Sequence, residues 1–582
     1  MRNWILQEQN KVRDYILMGI FLLGAAALRL FYITRTTGPF IYADEFGYWS
    51  HAAHMAGQTW AGVMDGVSWY SFGYSFWLTP IFLFSHQMET MYHAAILLNA
   101  MLGVTTFVLA YRITTKLMNS QNTVACGLIA LAATSFPTYI FYSHTTMAET
   151  LVALIVWLLL YELVSLEENS IWWKGAVLGL TSGYAYMVHN RMLTAILAVA
   201  VCLAALWIMR KIDWRVTVSY VIAFLIMIAA YVFVKDWLES MVVTNHALGE
   251  TGTVVARGQY NTLSFMIGKF FRVFRPERMG KLFLSIWGEL WQFLTSTYLL
   301  AGLGAVFCIS GIKKNFDSPK SLCIYAYPIT AFVISAGMTA VATQGSLKPV
   351  DGKVRIDSWF YGRYNECYFP IFIMIALVGL CSGKLRDVLK IFLTVAVVYL
   401  GLSLGMFLRL RGIEGGYINI VSSVSIHIFH WLGEFSVWKC AGIALLGGGV
   451  IAGLCCFKRF GHLGCYSGMT VLVLLFATTA LYCMRMSIRG ENDYTMQYAP
   501  LYDYLNENME KGEIAYITTN GKPAFDLQSR LVDKPVVVMW TDELDTATEP
   551  AYAVIRAEEL EEVPVDYEIC LECEDFLVLG LN

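Results

Sequence analysis

Gly38-Pro39-Phe40-Ile41-Tyr42-Ala43-Asp44-Glu45-Phe46-Gly47-Tyr48-Trp49-Ser50 follows one long apolar run, Tyr15 to Ile33, and precedes a loop crowded with aromatic residues. Its two adjacent carboxylates stand just past the mouth of the expected first membrane helix. Charges at that level are expensive to bury and mark function by default. An ordinary acidic loop on the wet side of a membrane has the same local sequence, so the rest of the chain must decide.

Of the 582 residues, 57% are hydrophobic and 15% charged, which sets the chain in the polytopic membrane class. A net charge of −3 gives no reason to expect a nucleic-acid partner. Cys126, Cys202, Cys308 and Cys455 lie inside apolar runs and read as small buried hydrophobes, not as a disulfide framework. Cys570-Leu571-Glu572-Cys573 has CxxC spacing, a weak pointer on its own to metal or redox chemistry. No Asn-x-Ser/Thr glycan acceptor occurs. The first apolar run is long enough to stay in the bilayer as a span, so no cleaved signal peptide is expected.

A bilayer core needs roughly 20 apolar residues per helix. Hydropathy gives about thirteen such segments, near 15–33, 91–111, 121–137, 147–165, 174–189, 192–209, 217–234, 288–312, 321–342, 366–383, 388–408, 436–457 and 466–486. Arg2, Lys11 and Arg13, then Arg112 and Lys116, Arg210, Lys211 and Arg215, Lys313, Lys314 and Lys320, Lys384, Arg386 and Lys390, and Lys458 and Arg459 all fall on one side. The positive-inside rule makes that side cytoplasmic. A multi-pass plasma-membrane protein is expected, with its N-terminus inside and its C-terminus outside.

Three larger loops then lie outside, at about 34–90, 235–287 and 343–365. The first carries Asp44, Glu45 and a half-hydrophobic stretch, Trp69 to Ser85, that suits helices lying in the interface. The second carries Arg257, Lys269, Arg272, Arg275, Arg278 and Lys281, and the third Lys348, Lys353, Arg355 and Arg363. Basic outside loops suit lipid headgroups or an anionic substrate. After Met486 the composition changes, and residues 487–582 read as a small α/β domain outside the membrane. Its strands are expected at 513–517, 535–539 and 575–579, with helices at 499–511 and 523–531.

The outside faces gather charge: Asp44 and Glu45 after the first span, His144 and Glu149 at the start of the fourth, His189 and Arg191 in a tight turn, Arg363 and Glu366 opening the tenth. A carboxylate can deprotonate a hydroxyl. Arginine can hold a departing phosphate. The combination points to group transfer from a lipid phosphate to an outside acceptor. His51 with His54, and His427 with His430, share helical faces where packing explains them as well as ligation does.

At these residues the chain resembles the GT-C-fold glycosyltransferases that use polyprenyl-phosphate sugars, the superfamily of protein O-mannosyltransferases and lipid A aminoarabinose transferases. The resemblance covers most of residues 15–410. Tyr42-Ala43-Asp44-Glu45 with Tyr48 and Ala52 resembles the acidic first-loop motif. Trp69-Tyr70-Ser71-Phe72-Gly73-Tyr74 stands where relatives have a proline-rich tyrosine element, at the expected interval before Pro80. Gly179 to Arg191 resembles a glycine-containing helix ending in a basic residue, often lysine in relatives. Gly362-Arg363-Tyr364 before Pro370 resembles an Arg-Tyr element that opens a later span.

The resemblance implies an inverting transfer from a polyprenyl-phosphate-linked donor to an extracytoplasmic acceptor. Asp44 would be the general base, and Glu45 would orient the acceptor or assist Asp44. Arg191, His189 and Arg363 would hold the donor phosphate. Some relatives use a divalent metal ion and others do not; Asp44, Glu45, His144 and Glu149 offer suitable ligand atoms, but their spacing decides nothing. The paired tryptophan-aspartate motif of oligosaccharyltransferases is absent, since Trp172-Trp173 is followed by Lys174. Two rivals stand beside this reading: a transporter or flippase of lipid-linked sugars, and a polysaccharide polymerase or ligase. A transporter favours inverted repeats and charges at mid-membrane. No such repeat is evident, and the acidic pair sits at the outer mouth.

Overall fold

The structure is a computed structural model. It describes residues 11–58, 60–63, 71–120, 122–166, 171–242, 268, 271–273, 275–343, 349–350, 353–413, 416–431, 434–456, 461–510, 513–546 and 551–581.

The apolar runs become helices. Among the described residues eight helices are long and apolar enough to cross a membrane, or ten if two bent pairs each count as one span. The chain is built as an integral membrane protein. Length and apolarity alone give this number rather than the thirteen segments of the hydropathy reading, for two reasons. First, Glu149–Ser165, Trp172–Val188 and Phe369–Ser382 have 17, 17 and 14 residues, at or below the short end for a span. Second, two expected spans are bent. Thr123–Thr134 turns by 77° into the Pro137–His144 pair, where Pro137 restarts the helix. Pro276–Thr295 turns by 101° into Leu300–Lys314. The break there holds Tyr298 and Leu299 at φ 50° and 65°, left-handed values that no α-helix of L-residues sustains.

Close approach of backbones sets one helix pair. Gly175, Gly179 and Gly183 recur every four residues along Trp172–Val188 and face Trp214–Val242. A Cβ at Gly179 would lie 2.3 Å from the Tyr220 carbonyl oxygen. Small residues at this spacing let membrane helices pack where lipid offers no hydrophobic drive. The same helix ends at the turn that carries Arg191.

Between the first span and Met88–Met118 the chain folds the Tyr42–Met55 helix, the short Ser75–Leu78 helix and the turn Thr79–Leu83. Phe76, Trp77, Leu83 and Phe84 are exposed there, which suits an interfacial position. Trp69 and Tyr70 lie outside the described residues.

The last apolar helix runs without interruption from Gly461 to Asn508, 48 residues. At 1.5 Å per residue it is about 70 Å long, more than twice a hydrocarbon core of about 30 Å. It therefore passes through the composition change at 486 and carries its far end into the C-terminal region, absorbing the helix expected at 499–511. A five-stranded sheet follows, in the order Val536–Val538, Ile514–Ile517, Ala551–Arg556, Phe576–Leu581, Tyr567–Cys573. The first two pairings are parallel and the last two antiparallel. Lys522–Arg530 connects the first parallel pair. The strands at 551–556 and 567–573 are additions to the sequence reading.

The glycine row makes a direct test. Gly179→Leu drives a side chain into the backbone of the neighbouring helix, which cannot rotate away, and overpacking of this kind costs about 1–3 kcal/mol. The thermal midpoint of the detergent-purified protein should fall. Gly24→Leu, on a face with nothing within 4 Å, is the control and should leave it unchanged.

Candidate functional site

The first turn of Tyr42–Met55 carries both acids, where a helix N-terminus favours negative charge. The two acids meet different surroundings. Glu45 is fully buried. Its Oε1 accepts from the amides of Phe40 (3.0 Å) and Ile41 (2.8 Å). Its Oε2 accepts from the Tyr92 hydroxyl (2.7 Å), the Thr146 amide (2.6 Å) and the Thr146 hydroxyl (2.6 Å). Trp49 Nε1 donates to that Thr146 hydroxyl at 2.8 Å. Burial pushes the Glu45 carboxyl above its ordinary value, while the bonds from Thr146, Ile41 and Tyr92 pull it back. Five donors and no acceptor surround it, as an acceptor-only carboxylate requires. Both oxygens are thus committed inside the protein. Glu45 anchors the Tyr42–Met55 helix, a structural part beside the acceptor-orienting or assisting role expected for it.

Asp44, one residue earlier, faces the other way. Its Oδ2 meets Arg363 Nη1 at 2.5 Å, and its side chain is 25% exposed. Arg363 Nε meets Glu149 Oε1 at 2.7 Å, and Arg191 Nη2 reaches the same oxygen at 3.3 Å. Two carboxylates and two guanidinium groups so form one chain, Asp44–Arg363–Glu149–Arg191, with no net charge. Burial alone would weaken the Arg363 cation; Asp44 and Glu149 outweigh it and hold Arg363 well above the ordinary arginine value. Arg191 also lies over the Tyr364 ring, 5.4 Å from its centre. Glu149 Oε2 is buried and has no hydrogen-bond partner among the described residues.

Each arginine is held by its turn. Arg191 sits in the turn Asn190–Met192, and His189 Nδ1 accepts the Arg191 amide at 3.2 Å. That leaves Nε2 as the ring nitrogen that could meet a ligand, with the His189 ring 6.3 Å from that of Tyr364. Arg363 sits in the turn Gly362–Tyr364. There Glu289, fully buried, accepts from the Tyr361 amide (3.0 Å) and from Asn365 Nδ2 (2.7 Å). Gln292, one helical turn on, donates to Glu366 Oε1 at 2.6 Å, and Ser425 donates to the same oxygen. Glu366 is therefore a strut of this loop rather than a member of the charge chain. Glu289 and Gln292 went unnoticed in the sequence, although Glu289 is the one acid between 288 and 312 and a buried acid in an apolar run is itself a signal.

His144 does not join the cluster. Its Nδ1 meets the Ile140 carbonyl at 3.0 Å and its ring lies 6.3 Å from that of Tyr32. Its grouping with Asp44, Glu45 and Glu149 as metal or acceptor ligands is corrected accordingly. Among the described residues no three His, Cys, Asp or Glu side chains come together to hold a metal ion. Asp44 and Glu149 are instead bridged by a cation, Arg363, so the donor set does not fit a divalent metal. His51 is fully buried, and His54 stands beside the Trp237 ring. Arg257, Lys269 and Lys348 lie outside the described residues.

No family model matches the chain, and no curated protein matches it. Solved structures do, among them ArnT from Cupriavidus metallidurans in the apo state and the same protein bound to undecaprenyl phosphate. Each aligns over 96% of this chain and 97% of that chain, with a TM-score of 0.52 at 13% identity. The likeness is one of fold, a GT-C helical architecture.

The two acids separate experimentally. In Glu45→Gln an amide NH₂ must face groups that are themselves donors, a mismatch worth about 1–3 kcal/mol. Its thermal midpoint should fall clearly, and further than that of Asp44→Asn, which loses the charge of a partly open pair and keeps a hydrogen-bonding oxygen for Arg363. A Glu45→Gln protein as stable as wild type would show that the five bonds do not hold the helix.

Proposed function

We propose that this chain is an inverting membrane glycosyltransferase that moves a sugar from a polyprenyl-phosphate donor to a hydroxyl on an extracytoplasmic acceptor, a cell-envelope glycan, lipid or protein. The observation that carries the reading is the chain of contacts from Asp44 through Arg363 and Glu149 to Arg191, at one end of a GT-C helical fold. That ArnT has been captured with undecaprenyl phosphate supports a polyprenyl phosphate as the ligand class.

The chemistry follows from charge. Asp44 takes the proton of the acceptor hydroxyl as its oxygen attacks the anomeric carbon. The bond from that carbon to the phosphate oxygen breaks, and a phosphodiester monoanion becomes a phosphomonoester dianion. Before the step, two carboxylates balance two guanidinium groups. After it, neutral Asp44 leaves the cluster with one net positive charge. The cluster becomes more cationic as the leaving phosphate becomes more anionic, so its attraction is greatest where charge develops. Glu149, by gripping both guanidinium groups, keeps them side by side for the phosphate. His189 Nε2 is a third candidate contact. Glu45 assists only through the position of the helix.

In this reading thirteen segments cross the plasma membrane, the N-terminus is cytoplasmic, and residues 487–582 lie outside. A flippase of lipid-linked sugars would use the arginines and have no need of Asp44; a polymerase or ligase would need both.

Purified protein incubated with a panel of polyprenyl-phosphate sugars should release polyprenyl phosphate. Asp44→Asn should lose about 10²–10⁴-fold in kcat, the usual contribution of a general base, with donor binding kept. Near-normal turnover by Asp44→Asn would remove it from the role of base; no release from any donor by the wild type would favour the flippase. Arg191→Ala should raise the donor KM and lower kcat together, and Arg191→Lys should recover part of the loss, since charge survives without the planar fork. A folded Arg191→Ala that turns over like wild type makes Arg191 a headgroup anchor.

A further inference from the structure

Asp44, Glu45 and Phe46 are consecutive on one helix, so their side chains point about 100° apart around its axis. Asp44 turns to Arg363 and Glu45 to Thr146. Phe46 turns to the C-terminal sheet domain. It is 1% exposed, stacked against Phe525 at 4.9 Å and 24° on one side and near Trp60 at 5.3 Å and 16°. Trp60 Nε1 donates in turn to the Val532 carbonyl at 3.0 Å. Upstream, Arg530 Nη1 donates to the Thr37 carbonyl at 3.1 Å. A Cβ on Gly62 would lie 2.2 Å from the Val536 carbonyl oxygen, so the sheet's edge strand rests directly on the backbone of the first loop.

We propose that the C-terminal domain positions the general base: Phe525 and Arg530 hold residues 37–46 from outside, while Glu45 holds them from the membrane side. Glu45 and Trp49 pin the helix on its Thr146 side; the Phe46 stack closes a second direction. Asp44 then meets the acceptor hydroxyl in one place, and a misplacement of about 1 Å can cost about 10²-fold in rate. Arg191 and Arg363 are held besides by Glu149, in the helical part of the chain, so the domain acts chiefly on the base. Phe525 and Arg530 are positioning residues. The inference rests on Asp44 being the base.

The test uses the full-length protein and two readouts. Phe525→Leu keeps apolar bulk and removes the stacked ring; Arg530→Gln removes the charged donor to Thr37; Phe525→Tyr keeps the ring. Phe525→Leu should lower kcat tenfold or more with donor KM within twofold of wild type, and Phe525→Tyr should restore most of the rate. Amide hydrogen exchange over 40–49 should quicken in Phe525→Leu and Arg530→Gln, and over 172–188 should not. Unchanged kcat, or a loss in KM alone, would overturn the positioning role, as would unaltered exchange over 40–49. If wild type releases no polyprenyl phosphate from any donor, the enzymatic reading fails by itself, and the exchange measurement still decides whether the domain holds the base helix.

Discussion

One carboxylate oxygen, Glu149 Oε1, holds two guanidinium groups. Two buried cations side by side repel and lose their hydration; they persist only where anions and hydrogen bonds replace the lost water. Glu149 supplies one anion from the start of an apolar helix, and Asp44 the other from the interfacial helix beyond the first span. The arrangement is poised rather than inert, because a guanidinium held by a carboxylate can be held equally well by a phosphate.

Much of the surrounding architecture serves to bring four separated pieces of chain together, those of Asp44, Glu149, Arg191 and Arg363. The glycine row of Trp172–Val188 sets the helix that ends at Arg191. Thr146, gripped by Glu45 and Trp49, fixes the segment just before Glu149. Glu289 and Gln292 fix the loop of Arg363, whose amide also meets the Ser422 carbonyl at 3.2 Å. Tyr74 and Asn99 extend the same net, since Tyr74 donates to Asn99 and Asn99 to the Thr145 carbonyl. A network this buried is stabilising only when nearly every member is satisfied. Glu149 Oε2 is a member with no partner among the described residues, and it lies at the centre of the cluster.

What could be read from the sequence follows the reach of each signal. Apolar runs report helices, and each expected segment holds one. They do not report bends, because Tyr298 and Leu299 are ordinary residues in an unusual backbone conformation. Asp44, Arg191 and Arg363 stood out as charges beside apolar runs, and Glu149 as an acid opening one. Telling Asp44 from Glu45 was beyond the sequence, because a rotation of about 100° on one helix separates a half-open acid from a buried one. His144 looked equivalent to Glu149 for the same reason: nearness in sequence says nothing of which way a ring turns after a 3₁₀ turn. The docking of Phe525 on Phe46 joins residues far apart in the chain and has no local signature at all.

The central claim is that the two arginines share their grip between protein carboxylates and a donor phosphate. A cryo-EM structure of the protein with a polyprenyl-phosphate sugar tests it most directly. The phosphate should lie within hydrogen-bond distance of both Arg191 and Arg363, with Glu149 still bridging them and the Asp44 carboxylate facing the anomeric carbon. A phosphate seated elsewhere, on Arg272 to Lys281 for instance, with the Asp44–Arg363 pair unchanged, would contradict it.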